Sequence, residues 1–327
     1  KCGASTLLRL IAGIRAPDKG SMVLEGVDQT AIAPAARNIN MVFKNDALFP
    51  HMSVSQNIAF SLQMSDVAPA EIQKRVDEWL DRFALKGKEK HLPKSLSRIE
   101  RKQVSLARAL IKRPQILLLD DPFATLLATQ REKMQSELVS MQRELGVSFI
   151  YVSQDPGEAM ALSDRVAIFN RGKVEQVDTP ANVYAFPASR FVASFTGYCN
   201  LLDCRVRSMN LGRMRLEVAG ADDAVAHTES GKMPGTKGAL AIRPEQIRID
   251  TMIEPNEDEN RCKGKIAAFQ FRGSTTVYRV ELITTEGPGR AIVVAVASSR
   301  SAPPVFFDIG AMVEITWRHE VGHFIEE

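Results

Sequence analysis

Two adjacent carboxylates end one of the most apolar segments of the chain. Asp120 and Asp121 follow residues 115–119, and Pro122 comes next. Such a run is typical of a buried parallel strand. Acids at the end of a strand could order a divalent cation or accept a proton. They could also be the solvated start of a loop, and without further context the residues favour this second interpretation.

A small glycine-containing segment precedes the first helical pattern. Gly3, Ala4, Ser5 and Thr6 lead into an apolar periodicity over residues 5–12. Glycine lets backbone N–H groups turn toward an anion, and a helix N-terminus favours negative charge, so the segment suits a phosphate. Taken by itself, it is only a plausible helix start.

A third pattern, residues 319–323 (HEVGH), has the H-E-x-x-H spacing of zinc proteases, which requires a helix. Its flanks read as strands, Gly322 weakens a helix, and only four residues follow. We therefore expect no metal there. The four cysteines show no paired metal spacing and are expected to be reduced thiols.

The first two hundred residues alternate between helical and strand patterns. Helices are predicted over residues 5–12, 70–85, 97–111 and 155–162, with another ending at residue 145. Strands are predicted over residues 21–27, 40–43, 115–119 and 147–152, followed by a hairpin of residues 165–169 and 173–177 that turns at Arg171-Gly172. This alternation predicts a parallel sheet with helices on its faces.

The pattern changes after about residue 196. Short strand-like stretches separated by Gly and Pro recur at residues 214–218, 239–242, 277–282, 291–297 and 312–317. They predict a separate small all-β domain, sandwich or barrel. The expected domains are therefore residues 1–196 and 197–327.

Composition is that of a soluble globular protein, with 45% apolar and 25% charged residues. The net charge of +3 is spread along the chain, so no nucleic-acid partner is expected. No apolar run is long enough to cross a bilayer, and no signal peptide is recognised. Because Lys1 already looks like the middle of a motif, an N-terminally incomplete chain is expected.

Five segments in order resemble the motifs of ATP-binding-cassette (ABC) importer ATPases. They are residues 2–13 (CGASTLLRLIAG), 41–60 (MVFKNDALFPHMSVSQNIAF), 96–110 (LSRIERKQVSLARAL), 116–124 (ILLLDDPFA) and 151–176 (YVSQDPGEAMALSDRVAIFNRGKVEQ). Residues 190–197 and 241–249 resemble the oligosaccharide-binding-type β domain that follows the ATPase domain in this family. Residues 146–202 look closest to the polyamine, ferric-iron and sugar importers, with a lean toward polyamines. The resemblance implies a P-loop NTPase-type fold with a parallel sheet.

The resemblance assigns the P-loop and the acidic strand end as follows. Gly3, Ser5 and Thr6 match the P-loop, with Ser5 and Asp120 as the predicted magnesium residues. Ala4 stands where the family has the phosphate-bridging lysine, and Lys1 stands where it has a glycine. Asp121 replaces the glutamate general base. It is shorter by one methylene, a displacement of roughly 1 Å that can cost on the order of a hundredfold in rate.

The remaining motif positions also depart from the family. Lys44 replaces the loop glutamine near magnesium, Gln154 replaces the switch histidine, and Leu127 replaces an aspartate that communicates across the dimer. Ser97 keeps the signature serine, but Arg98, Ile99 and Glu100 follow it instead of two glycines and a glutamine. Ser97 with Glu100 still forms the pattern of a capping box, so we expect a well-capped helix whose anion site is spoiled.

These residues imply an ATP-binding subunit of a solute importer whose hydrolysis is lost or severely impaired. ATP and Mg²⁺ are the implied ligands, bound weakly. The implied partners are a membrane permease and a second ATPase subunit, identical or different, at the cytoplasmic face of the membrane. A non-enzymatic regulatory or scaffold subunit and a truncated, non-functional product are the alternatives.

Overall fold

The computed structural model describes residues 2–219, 223–228, 231–254, 256–284, 287–297 and 307–327. Lys1, where the resemblance places a replaced glycine, lies outside them. The chain divides into two compact units, Lys1–Leu162 with Phe169–Lys173, and Ser163–Ile168 with Val174–Glu327. The predicted order, an α/β fold with a parallel sheet and then an all-β domain, is confirmed. The boundary at residue 196 stays a prediction.

The first unit is built on a three-stranded parallel sheet with helices around it. Its helices are α1 (Ala4–Ile11), α2 (Val54–Gln63), α3 (Pro69–Arg82), α4 (Arg98–Leu110), α5 (Ala128–Leu145) and α6 (Pro156–Leu162). Its strands are β1 (Val23–Leu24), β2 (Val27–Asp28), β3 (Ile39–Val42), β4 (Ile116–Asp120) and β5 (Ser148–Val152). The sheet has the order β3-β4-β5, with β4 in the centre.

The central strand β4 carries the core of this unit. Leu117, Leu118 and Leu119 are fully buried, as expected for a strand covered on both faces. Leu117 and Leu119 pack in a cluster that includes residues of α2, α3, α4 and α5, whereas Leu118 packs with Leu8 of α1. The buried apolar residues therefore fix the position of Asp120 at the end of β4.

Two predicted elements differ from the structure. The single strand over residues 21–27 is wrong, because β1 and β2 are two short antiparallel strands. Between them Glu25 and Gly26 have φ of 49° and 78°, the left-handed pair that a tight hairpin turn needs. The helix predicted to residue 85 ends at Arg82, and Ala84 is left-handed with φ of 51°, which no helix continues.

A two-stranded sheet and two short helices come next along the chain. Strands β6 (Val166–Asn170) and β7 (Lys173–Asp178) pair with each other. Arg171 and Gly172 between them have φ of 48° and 83°, which confirms the predicted turn. Helices α7 (Pro180–Ala185) and α8 (Arg190–Phe195) follow.

The rest of the second unit is two five-stranded antiparallel sheets. The strands are β8 (Asn200–Asn210), β9 (Arg213–Val218), β10 (Ala224–His227), β11 (Lys237–Ile242), β12 (Arg248–Asp250), β13 (Glu259–Phe271), β14 (Thr275–Thr284), β15 (Gly287–Ala297), β16 (Met312–Arg318) and β17 (His323–Glu326). Their orders are β10-β9-β8-β11-β17 and β12-β16-β13-β14-β15. Inward residues of both sheets form one apolar cluster, so this is the expected all-β fold.

The H-E-x-x-H pattern lies between strands, as its flanks predict. His319 follows β16, and His323 begins β17. In the described part of the chain, no group of three or more His, Cys, Asp or Glu side chains is placed to hold a metal. The described helices include none with the length and hydropathy of a membrane span.

Helix α5 begins without a side-chain cap. Its N-cap is Leu127, which has the extended backbone of a capping residue but no side-chain acceptor, and its side chain is exposed. We expect Leu127→Asp to raise the free energy of unfolding by about 1 kcal/mol, because the carboxylate would accept from a free N–H of the first turn. Leu127→Ala is the matched control. Equal urea unfolding curves for the two variants would contradict this prediction.

Candidate functional site

Several of the predicted site residues meet at one edge of the parallel sheet, and Ser97 is not among them. In register, Val42 of β3 lies beside Leu119 of β4, and Asp120 lies beside Val152 of β5. All three strands therefore end at the same level, where parallel sheets of α/β proteins carry their ligand sites. Lys44, Asp121 and Gln154 each follow one of these strand ends within two residues.

Ser5 and Asp120 lie in direct contact. The Ser5 hydroxyl in the first turn of α1 donates to Oδ1 of Asp120 at 2.7 Å. Gly3, the N-cap of α1, has φ of 103°, a conformation that favours glycine. The preceding carbonyl, that of Cys2, accepts from the Gly172 N–H at 2.8 Å. The turn of the β6–β7 pair thus anchors the short loop that leads into α1.

Ala4 and Thr6 complete the predicted phosphate-binding segment. Both lie in the first turn of α1 and are half-buried. Ala4 supplies no ammonium group, so α1 offers a phosphate only its backbone N–H groups, the Ser5 and Thr6 hydroxyls and its dipole.

Asp121 is held in one orientation by its backbone. Its N–H donates to the Val152 carbonyl at 2.9 Å, and its φ is 48°, unusual for a residue with a side chain. Lys44 Nζ donates to Asp121 Oδ2 at 2.8 Å. Gln154 Nε2 lies 3.5 Å from the same oxygen, at the limit of a hydrogen bond. The structure therefore brings Lys44, Asp121 and Gln154 together around one carboxylate oxygen.

The capping box at the start of α4 is confirmed. Ser97 Oγ accepts from the Glu100 N–H at 3.4 Å, and Glu100 Oε2 accepts from the Ser97 N–H at 2.8 Å. Glu100 also forms an ion pair with Lys88, which lowers the pKa of the Glu100 carboxyl. A carboxylate kept charged here competes with any phosphate for the positive end of α4. Among the described residues, no hydrogen bond or ion pair joins Ser97 to Ser5 or Asp121.

A buried lysine that the sequence analysis missed holds the loop that carries Lys44. Lys102 of α4 is 1% exposed and forms an ion pair with Asp46. Its ammonium also donates to the carbonyls of Lys44, at 3.2 Å, and Phe43, at 3.5 Å. Burial lowers the pKa of Lys102, while Asp46 opposes that shift. One signal was available, because Lys102 stands one turn before Leu106 on the apolar face of α4.

Two further groups of α4 fix the same loop. Ser105 Oγ and Arg108 Nη2 both donate to the Asp46 carbonyl, at 2.9 and 3.1 Å. Asp46 and Ala47 have φ of 61° and 47°, and these contacts hold the two in that strained backbone. Fully buried Asn57 of α2 binds the next part of the loop through the Phe49 N–H and carbonyl.

We expect Asp46→Asn to lower the free energy of unfolding by about 3 kcal/mol, because it leaves the buried Lys102 ammonium without its carboxylate. Lys102→Met should cost less, since it removes the charge itself. Asp66→Asn, at an exposed position, is the control. Denaturant unfolding of all three variants checks the order. If Lys102→Met lowered the free energy of unfolding the most, the cost of Asp46→Asn would not come from an unpaired buried charge.

Comparisons with known proteins identify the family of each part of the chain. The family model described as ABC transporter matches residues 2–124, and the one described as TOBE domain matches residues 240–325. The first match contains Ser5, Lys44, Ser97, Asp120 and Asp121.

Similar proteins cover nearly the whole chain. The spermidine/putrescine import ATP-binding protein PotA 2 of Pseudomonas aeruginosa is 42% identical over 324 residues, which are 99% of this chain and 88% of that protein. PotA of Nitrosospira multiformis is 41% identical over 326 residues, with coverages of 100% and 89%. A solved ATP-binding cassette, described as a dimer in a post-hydrolysis state bound to ADP and phosphate, matches with a TM-score of 0.50 and 25% identity. That match covers 55% of this chain and 81% of the other. The chain therefore belongs to the ABC transporter family, as an importer-type ATP-binding subunit with a TOBE domain.

Proposed function

We propose that this chain is the ATP-binding subunit of a polyamine importer in which ATP hydrolysis is lost or severely impaired. The substrate class is supported by the relatives named for spermidine and putrescine import. It also agrees with the resemblance of residues 146–202 to that group of importers. The proposed partners are a membrane permease and a second ATPase subunit, which place the chain at the cytoplasmic face of the membrane.

The observation that carries the loss of hydrolysis is the ion pair of Asp121. A general base must offer a free carboxylate oxygen to the attacking water. Here Oδ2 of Asp121 accepts from the Lys44 ammonium at 2.8 Å, and Gln154 lies beside the same oxygen. One of the two Asp121 oxygens is therefore engaged by an ammonium and an amide instead of being open to a water molecule.

The neighbouring groups add to this impairment. Ala4 has no charge to place against the β- and γ-phosphates, and Gln154 can donate a hydrogen bond but cannot carry a positive charge. Ligands of the family are ATP and Mg²⁺. Ser5 and Asp120 offer the oxygen donors that Mg²⁺ prefers, and their side chains touch. Lys44, in contrast, brings an ammonium that cannot coordinate a metal, so we propose that the Mg²⁺–nucleotide complex binds weakly.

A scaffold role is the second candidate, and the retained packing favours it. The loop between β3 and α2 is fixed by Lys102, Ser105 and Asn57. This packing is present although Lys44 replaces the glutamine of that loop. Such a subunit would keep its permease contacts without turning over nucleotide. We also propose residues 1–196 and 197–327 as the two functional domains.

We expect ATP turnover by the purified chain, with Mg²⁺ present, to equal that of its Asp120→Asn variant prepared in parallel. Asp120→Asn removes the predicted magnesium residue, so it measures contaminating activity. Phosphate release over hours at saturating ATP is the measurement. A wild-type rate about tenfold or more above the variant would show working chemistry and would overturn the proposed loss.

A further inference from the structure

The nucleotide site has a cation in an unexpected place. The first turn of α1 carries Ala4 where the family has its phosphate-bridging lysine, but the loop after β3 carries Lys44. Both regions contact the end of β4: Ser5 in the first turn of α1 contacts Asp120, and Lys44 in the loop after β3 contacts Asp121, the next residue. Lys44 therefore binds the residue next to Asp120, and Asp120 is the residue that contacts the first turn of α1.

We propose that Lys44 is the cation that binds the terminal phosphates of ATP in this chain, with Asp121 as its anchor. The proposal rests on the proposed function only in that the chain binds ATP. It gives the lysine lost at position 4 a substitute that comes from the loop after β3.

Lys44 has the freedom to serve as a phosphate ligand. An ammonium has three donor hydrogens, and Asp121 takes one of them at 2.8 Å. The Lys44 side chain is 46% exposed, so it remains accessible to a ligand. The Asp121 side chain is only 12% exposed, so the carboxylate is the more buried partner of the pair.

Both ends of Lys44 are held in place. Its carbonyl accepts from buried Lys102, and its ammonium is anchored by Asp121, whose own backbone is fixed to Val152. A long side chain held at both ends loses less conformational entropy when it binds a ligand. This separates Lys44 from an ordinary surface lysine.

The local charges favour such a cation. Asp120 and Asp121 are adjacent carboxylates, and both repel a triphosphate. Lys102, the next lysine toward the core, is 1% exposed and is paired with Asp46. Of the ammonium groups that these contacts bring to the strand ends, Lys44 is the exposed one.

The test is the affinity of the full chain for ATP, ADP and AMP, measured by calorimetry with Mg²⁺ for the wild type and for Lys44→Gln. Glutamine is the residue that the family has at this position, so the change suits the loop. We expect Lys44→Gln to lower the affinity for ATP about tenfold or more, the affinity for ADP less, and the affinity for AMP hardly at all. The reason is that the charged hydrogen bond goes to the terminal phosphates.

Two further variants separate charge from structure. Lys112→Gln removes an exposed lysine elsewhere in the same unit and should leave all three affinities unchanged. Adding Ala4→Lys to Lys44→Gln returns an ammonium to the first turn of α1 and should recover most of the ATP affinity. A purely structural ion pair would predict equal losses for the three nucleotides and no recovery.

The measured affinities distinguish the role of Lys44 from nucleotide binding itself. An ATP affinity of Lys44→Gln within about twofold of the wild type, or equal losses for ATP and AMP, overturns the role of Lys44 while nucleotide binding stands. A wild-type chain that binds no ATP at millimolar concentration overturns both nucleotide binding and this proposal, and leaves the scaffold role. Selective loss of ATP with recovery by Ala4→Lys supports the proposal.

Discussion

The loop between β3 and α2 depends on one buried charge, the ammonium of Lys102. An ammonium taken out of water is strongly unfavourable unless its donors are paired, so the fold must supply acceptors. It supplies the Asp46 carboxylate and the carbonyls of Phe43 and Lys44, which belong to a single loop. That loop connects β3 to α2 and therefore cannot move away from α4 without leaving the charge unpaired. The position of Lys44 at the strand ends follows from this constraint.

The fixed loop completes an arrangement that the sheet begins. Parallel strands in register bring Asp120, Asp121 and Gln154 to one edge, and the Lys102 contacts bring Lys44 to the same place. The framework of a nucleotide site is thus present, although several of its chemical groups are replaced. The chemical groups can change without loss of the framework. The framework depends on apolar strands and buried pairs, whereas the chemical groups are side chains at the ends of loops.

The sequence predicts those parts of the site that depend on local patterns. The Ser97 capping box, strand β4 and the turn at Arg171-Gly172 each follow from a few neighbouring residues, and the structure confirms all three. The pair of Lys44 with Asp121 joins positions far apart in the chain, and no local pattern encodes such a distance. For Lys102, periodicity signals its place on the apolar face of α4 but not the acceptors that pair its charge, because these come from a distant loop.

The pairing of the replaced residues bears on whether the site still has a role. Lys44 and Glu100 both stand where the family has an uncharged glutamine, so each brings a new charge into the motif. Lys44 is paired with Asp121, itself a replaced residue, and Glu100 is paired with Lys88 while it caps α4. Changes accumulating without constraint would be expected to leave some of these charges without partners, at a cost in stability. Paired charges on an intact framework favour a binding or scaffold subunit over a non-functional product.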